Sequence, residues 1–335
     1  LTNIHLIRLR NMILLVGTGY MGKEYAKVLK DLGEPFIAVG RSPESVKNFK
    51  EEIGADAVSR GLSEWLKKNK PPKQAIVAVT EDQLGITTRE LLSAGCKSIL
   101  VEKPGGFDAK DVRAVAALAK KKGADVYVGY NRRFYASTLK AMEIIKKEGV
   151  SSFNFDFTER SYVVENLKQS DAIKKEWFLQ NSSHVIDMAF HLGGWPKKMY
   201  CLGKDTLPWH RGHVMYAGAG ISEKGALFSY HANWKSAGRW SIEAMTRKNK
   251  LIFRPLEKLQ IQKYGNMIVE EVPLKDMLDQ KFKPGLYLQV QSFLGNKQGL
   301  LTIREQVSHL AYYEKIKRGA STNGTNEILA RRFLK

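Results

Sequence analysis

The sequence predicts an α/β Rossmann fold, a doubly wound parallel sheet, joined to an α+β domain with a large, mostly antiparallel open sheet. Three observations carry this expectation. The chain has 335 residues, more than one ordinary domain of roughly 100–200 residues holds. From Met12 to about Gly149, short apolar runs alternate with amphipathic stretches, the pattern of strands covered on both faces by crossover helices. After Val150 the hydrophobic period drops to two, as for strands with one wet face. The expected domains are therefore 12–149 and 150–320.

In the first domain the strands read "MILLVG" (12–17), "FIAVG" (36–40), "AIVAVT" (75–80), "SILVE" (98–102) and "DVYVGY" (125–130). Helix signals lie between them. Ser42 is a cap followed by Pro43, and Asp108 precedes "AKDVRAVAALAKKK", which stops at Gly123. In the second domain "SFNFDFT" sets Phe153, Phe155 and Phe157 on one face, with Asn154 and Asp156 on the other. "ALFSYHANW", "RWSIEAMT", "KLIFRP" and "KLQIQKY" continue as strands, with helical pieces around 182–193 and 285–318. The first residues, "LTNIHLIRLRN", read as a short leader without the apolar core of a signal peptide.

Composition narrows the function classes. No apolar run approaches the roughly 18 residues of a membrane span, so a membrane protein is not expected. Cys96 and Cys201 show no ligand-like spacing, which fits free thiols and a cytoplasmic setting. The net charge is +20, spread evenly: 26 basic against 17 acidic residues in 1–150, and 28 against 17 in 151–335. No stacking motif or basic stripe accompanies it, so nucleic acid is set aside, and an anionic small-molecule substrate is the more specific use of the charge. No metal constellation is visible.

The first strand runs into "GTGYMG", residues 17–22. Gly17 permits a tight turn, Gly19 lets the backbone approach a pyrophosphate, and Gly22 allows close packing of helix on strand. Thr18, Tyr20 and Met21 complete the loop. The second strand ends in "AVGRS", with Arg41 and Ser42 where an acidic residue would bind a ribose diol. These two fit the 2′-phosphate of NADP, with NAD the other cofactor considered. The fourth apolar run is "SILVE", and "EKPGG" closes it. Ligands in open α/β sheets lie outside the carboxyl ends of strands. Lys103 therefore points at the cofactor, where a shielded amine beside a cationic ring has a lowered pKa and can share in proton transfer.

"GTGYMG", "EKPGG", "GYNRRF" (129–134) and "HVIDMAFHLGG" together resemble the Gfo/Idh/MocA family of NAD(P)-dependent oxidoreductases. The resemblance implies a Rossmann domain and an α+β domain whose open sheet faces the active site and builds a homodimer or homotetramer. It also implies substrates such as sugars, sugar phosphates or sugar nucleotides, oxidised or reduced at a carbinol carbon.

By the same resemblance Lys103 is the catalytic lysine, in a Lys-Pro bond that relatives often hold in cis. His184 and Asp187 match an H-x-x-D helix, three apart and so on one face, with His184 as acid/base; a shifted alignment uses Asp187 and His191 instead. Relatives carry an aspartate where this chain has Gln180, and a proline and histidine where it has Glu81 and Gly85. Thr80, Glu102, Asn131 and Arg133 fall on cofactor contacts, and Tyr130 lies near nicotinamide and substrate. Arg160 and Arg239 are the candidate anion contacts of the sheet domain. Tyr162, Lys174, Trp177, Trp209, His210, Arg211, Asn233, Trp234 and Trp240 are further candidates there by residue type alone. The rival reading is a non-catalytic NADP(H)-binding sensor or assembly protein of the same fold.

Overall fold

A computed structural model describes residues 12–319. It opens with β1 (Ile13–Val16), α1 (Tyr20–Asp31), β2 (Phe36–Val39), α2 (Pro43–Ile53), β3 (Ala57–Val58), α3 (Gly61–Lys68) and β4 (Gln74–Val77). Next come α4 (Leu84–Ala94), β5 (Ser98–Glu102), α5 (Ala109–Lys122) and β6 (Asp125–Gly129). The capping signals are realised. Ser42 accepts from the Ser45 amide and Asp108 from the Asp111 amide, while Gly123 ends α5 in the left-handed conformation. Lys120, Lys121 and Lys122 fill the last turn of α5, where cations suit the helix dipole.

The chain continues with α6 (Ala136–Glu148), β7 (Ser152–Asp156), α7 (Ser161–Glu165), α8 (Asp171–Lys175), a π turn (Phe178–Ser182) and α9 (Ser183–Gly193). Strands β8 (Pro196–Lys204), β9 (Met215–Ser222), β10 (Leu227–Asn233), β11 (Ser241–Met245), β12 (Asn249–Phe253), β13 (Gln260–Lys263) and β14 (Val269–Glu271) follow. Last are α10 (Met277–Lys281), α11 (Leu286–Leu294), β15 (Leu301–Thr302) and α12 (Ile303–Arg318).

These elements form two compact units. One holds residues 12–135 and 276–309, around a seven-stranded sheet ordered β15-β6-β5-β4-β1-β2-β3. Every pair in it is parallel except β15 with β6. Strand β15 breaks the helical reading of 285–318; two residues flanked by helix signals are too short for periodicity to reveal. The core of this unit includes Leu15, Tyr25, Phe49, Ile76, Leu100 and Phe293, all fully buried.

The other unit holds 136–275 and 310–319, around an eight-stranded sheet ordered β14-β13-β12-β11-β7-β10-β9-β8. It is antiparallel except where β10 runs parallel to β7. Phe153, Phe155 and Phe157 are buried as the alternation requires. Phe153 stacks on Phe228 and Phe155 on Tyr230 at 5.3 and 5.4 Å, and the edge of Phe190 from α9 meets Phe155. Aromatic pairs in this geometry add to simple area burial. Among the described residues no helix is long and apolar enough to cross a membrane.

Candidate active site

The glycine turn joins β1 to α1, and each of its glycines has a separate reason. Gly17 has φ +126°, and a Cβ there would collide with the Ala78 carbonyl oxygen. A Cβ at Gly22 would strike the Gly17 carbonyl, so the helix packs on the turn backbone to backbone. Gly19 is different. Nothing lies within 4 Å of where its Cβ would sit, and as N-cap of the 12-residue α1 it has no side-chain cap. Open space over uncapped backbone N–H groups at a helix N-terminus is a cradle for an anion, and the pyrophosphate of a dinucleotide fits it. Beside the turn, Thr18, Lys23, Ser42, Ser45 and Asn48 line a cavity of about 430 Å³ that Glu44 and Glu52 also border. Thr18 and Ser45 are tied by a 2.8 Å hydroxyl pair, and Glu52 holds Lys23 at 2.5 Å. Arg41 ends β2 exposed, and its carbonyl accepts from the Arg60 amide at 3.3 Å, which brings a second arginine to this edge.

Lys103 follows β5, and its bond to Pro104 is cis. The turn is fastened from both sides. Glu102, 8% exposed, points inward and accepts from the Tyr25 hydroxyl at 2.6 Å, which itself accepts from Gln289 at 3.0 Å. Gln306 donates to the Pro104 carbonyl at 3.0 Å and to the Tyr130 hydroxyl at 3.1 Å. Burial pushes the Glu102 carboxyl up, although Tyr25 and the charge of Lys103 hold it down. Burial pushes the Lys103 amine down, against the pull of Glu102 and Glu81, and the charges of Arg132 and Lys283 lower it further. A lysine in such surroundings gives up its proton more readily than one in water.

The remaining predicted residues of this unit separate by burial. Thr80 is exposed at the N-terminal end of a short 3₁₀ turn. Asn131 and Arg133 are buried, and Asn131 donates to the Pro284 carbonyl at 2.9 Å. Tyr130 is 1% exposed and joined to Gln306. Exposed Tyr20 carries the Lys283 ammonium 5.3 Å over its ring, while Met21 packs against the core. Gly85 has a packing reason: a Cβ there would strike the carboxylate of Asp111, which pairs with Arg89 and accepts from the Phe107 amide. Lys283, Gln289 and Gln306 were not singled out by sequence reasoning. All three come from residues 283–306, and no local motif ties them to the glycine turn.

In the other unit the predicted helix is present, with its entry wound as a π turn over Phe178–Ser182. Such turns are rare and recur at functional sites. His184 is 7% exposed, and its ring lies 6.3 Å from that of Trp240. Asp187 is fully buried, Gln180 is 2% exposed and His191 is half-buried. Exposed Arg239 places its guanidinium 5.4 Å over Trp240, and Arg160 is exposed as well. Trp209 and Trp234 stack on each other at 6.1 Å, with His210 against them.

Sequence reasoning missed Glu159. Its carboxylate is 4% exposed and accepts from Asn181 at 2.9 Å and from Ser182 at 2.6 Å. Burial pushes it up, while Ser182, Asn181, Trp177 and the charge of Arg239 hold it down. Strand β7 ends at Asp156, and Phe157, Thr158 and Glu159 are all buried, so the alternation gave no signal for it. Among the described residues no three His, Cys, Asp or Glu side chains gather as a metal site.

Comparison with known proteins bears on the fold. Residues 12–130 match the model of the Gfo/Idh/MocA oxidoreductase family, NAD-binding Rossmann fold. An uncharacterized oxidoreductase of Streptococcus pneumoniae serotype 4 is 22% identical over 242 residues, 68% of this chain. The match spans 63% of that relative's length. An oxidoreductase from Agrobacterium radiobacter, solved with NAD+, L-tartaric acid and magnesium, superposes with a TM-score of 0.72 at 11% identity. That match covers 91% of this chain and 94% of the other. The WlbA dehydrogenase of Chromobacterium violaceum, solved with NADH and UDP-GlcNAcA, gives 0.68 at 15% identity over 92% and 93% of the two chains. At these identities the likeness is one of fold, a Rossmann domain followed by a second domain on a mostly antiparallel sheet.

Proposed function

We propose that this protein is an NAD(P)-dependent oxidoreductase that interconverts a carbinol and a carbonyl carbon on a sugar derivative bearing an anionic group. The observation that carries the reading is the pairing, within one unit, of an uncapped glycine-turn cradle with a strand-end lysine whose amine burial has pushed down. Bound nicotinamide supplies the hydride chemistry. The chain supplies the rest. Gly19 and the first turn of α1 hold the pyrophosphate, and Lys103 takes or returns the hydroxyl proton, worth about 10²–10⁴-fold in rate. His184, in the other unit, is the second proton-handling residue. Arg160 and Arg239 supply exposed guanidinium groups for a carboxylate or phosphate.

NADP is the preferred cofactor in this reading. Arg41 and Arg60 at the ends of β2 and β3, with Ser42, Ser45 and Asn48 in the adjoining cavity, offer charge and donors to a 2′-phosphate. NAD+ and NADH in the two solved relatives keep NAD in the comparison. The UDP-GlcNAcA bound by WlbA directs the first substrate panel to sugar nucleotides and uronic acids. The non-catalytic reading of the same fold draws on two departures, Gln180 and Gly85; at Gly85 a Cβ would meet the Asp111 carboxylate, a packing reason for the glycine. The test is absorbance of reduced nicotinamide on mixing the protein and NADP+ or NAD+ with that panel. Appearance of the band with at least one member is expected; tight cofactor binding with no band from any member contradicts the reading.

A further inference from the structure

We infer that Glu159 is the positioning carboxylate for His184, acting through the π turn that leads into α9. The inference rests on His184 having the proton-handling role proposed above. Gln180 leaves the preceding turn without a carboxylate of its own. Glu159 reaches the same turn from the end of β7, more than twenty residues earlier, and binds the two residues just before Ser183 and His184. Its anchorage is firm. The Thr158 amide donates to Asp156 at 2.7 Å, and the Thr158 hydroxyl accepts from the Asn233 amide at 3.0 Å.

The bonding pattern matches the ionised form. Asn181 and Ser182 both donate, a carboxylate offers only acceptors, and Arg239 provides a balancing charge. Arg239 lies over Trp240, whose ring is the neighbour of His184. Trp240 therefore neighbours the imidazole, while Glu159 holds the turn from which the backbone runs on to His184. A structural salt link has no need of a loosened helix turn. A π turn held at its last two residues by a buried carboxylate fixes the rotation at which the following histidine leaves the backbone.

The test uses full-length protein with ring-¹⁵N histidine, the His184 signal being assigned by its loss in His184→Asn. In Glu159→Ala the His184 ring signals are expected to shift and broaden into a mixture of tautomers. Glu159→Asp, one methylene short, should do the same, and Glu159→Gln, which keeps one acceptor, should restore part of the wild-type pattern. The Asn181→Ala/Ser182→Ala double variant should reproduce the Glu159→Ala spectrum, with no further change when all three are combined. A His184 signal identical to wild type in folded Glu159→Ala, whatever its melting temperature, overturns the inference. Undiminished turnover by His184→Asn would remove the histidine from the chemistry while leaving the spectral result readable.

Discussion

The glycine turn and the wall around His184 are two sites built in opposite ways. The first is made of backbone and is contiguous: six residues, 17–22, set the bend, the opening and the helix contact. The second is made of side chains brought from the end of β7, the π turn, the start of α9 and the segment before β11. A backbone site tolerates almost no change at its bends and is indifferent to the side chains nearby. A side-chain site tolerates change in folding but loses function with single atoms. The difference sets how each region should answer substitution.

The largest effect should fall on the turn. Gly17→Ala puts a Cβ into the Ala78 carbonyl at a φ that L-residues rarely adopt, a cost of several kcal/mol. Failure to fold, or a melting temperature lowered by ten degrees or more on the scale of about 4 °C per kcal/mol, is expected by calorimetry. Gly19→Ala sharpens the contrast. Its Cβ meets nothing within 4 Å, so the fold should melt as in wild type while NADPH affinity falls by about tenfold or more, since the methyl fills the cradle. Equal behaviour of the two variants would dissolve the distinction between a bend glycine and a ligand glycine.

A smaller change belongs to the edge of the cradle. Arg41→Ala should weaken NADPH about tenfold, roughly one charge-assisted hydrogen bond, and leave NADH nearly unchanged; Arg60→Ala should repeat this more weakly. Fluorescence titration with both nucleotides reads the ratio, and an equal loss for both would place these arginines away from the 2′-position.

The smallest is a pH effect. Burial, then the charge of Arg133, pushes the His309 imidazole down to about 3 from 6.5. A lowered folded-state value means that the stability contributed by the neutral ring is complete above 6.5 and is lost as pH falls from there toward 3. His309→Gln should flatten the fall in melting temperature between neutral and mildly acid pH. An unchanged slope would show that other groups govern acid unfolding.

Legibility in the sequence followed the same division. The strands of the first unit, the caps at Ser42 and Asp108, and the glycine turn were readable because each depends on neighbours within a few residues. The Phe153-Phe155-Phe157 face was readable for the same reason. Strands β8 and β9 were missed: β9 carries Gly218 and Gly220 among alanines, which weakens any strand signal. The partners that fix the Lys103 turn, Gln289 and Gln306, lie more than 180 residues downstream, and no periodicity links them to it. Glu159 lies beyond the strand, which ends at Asp156, and a charged residue after three phenylalanines reads as the start of a loop.

The central claim is that Lys103 handles the proton at the strand end beside the cofactor cradle. The direct measurement is Lys103→Ala, with turnover followed by nicotinamide absorbance and NADPH affinity by fluorescence on the same preparation. Turnover should fall by about 100-fold or more, with affinity changed by less than about threefold. Turnover equal to wild type at full cofactor saturation would contradict the account.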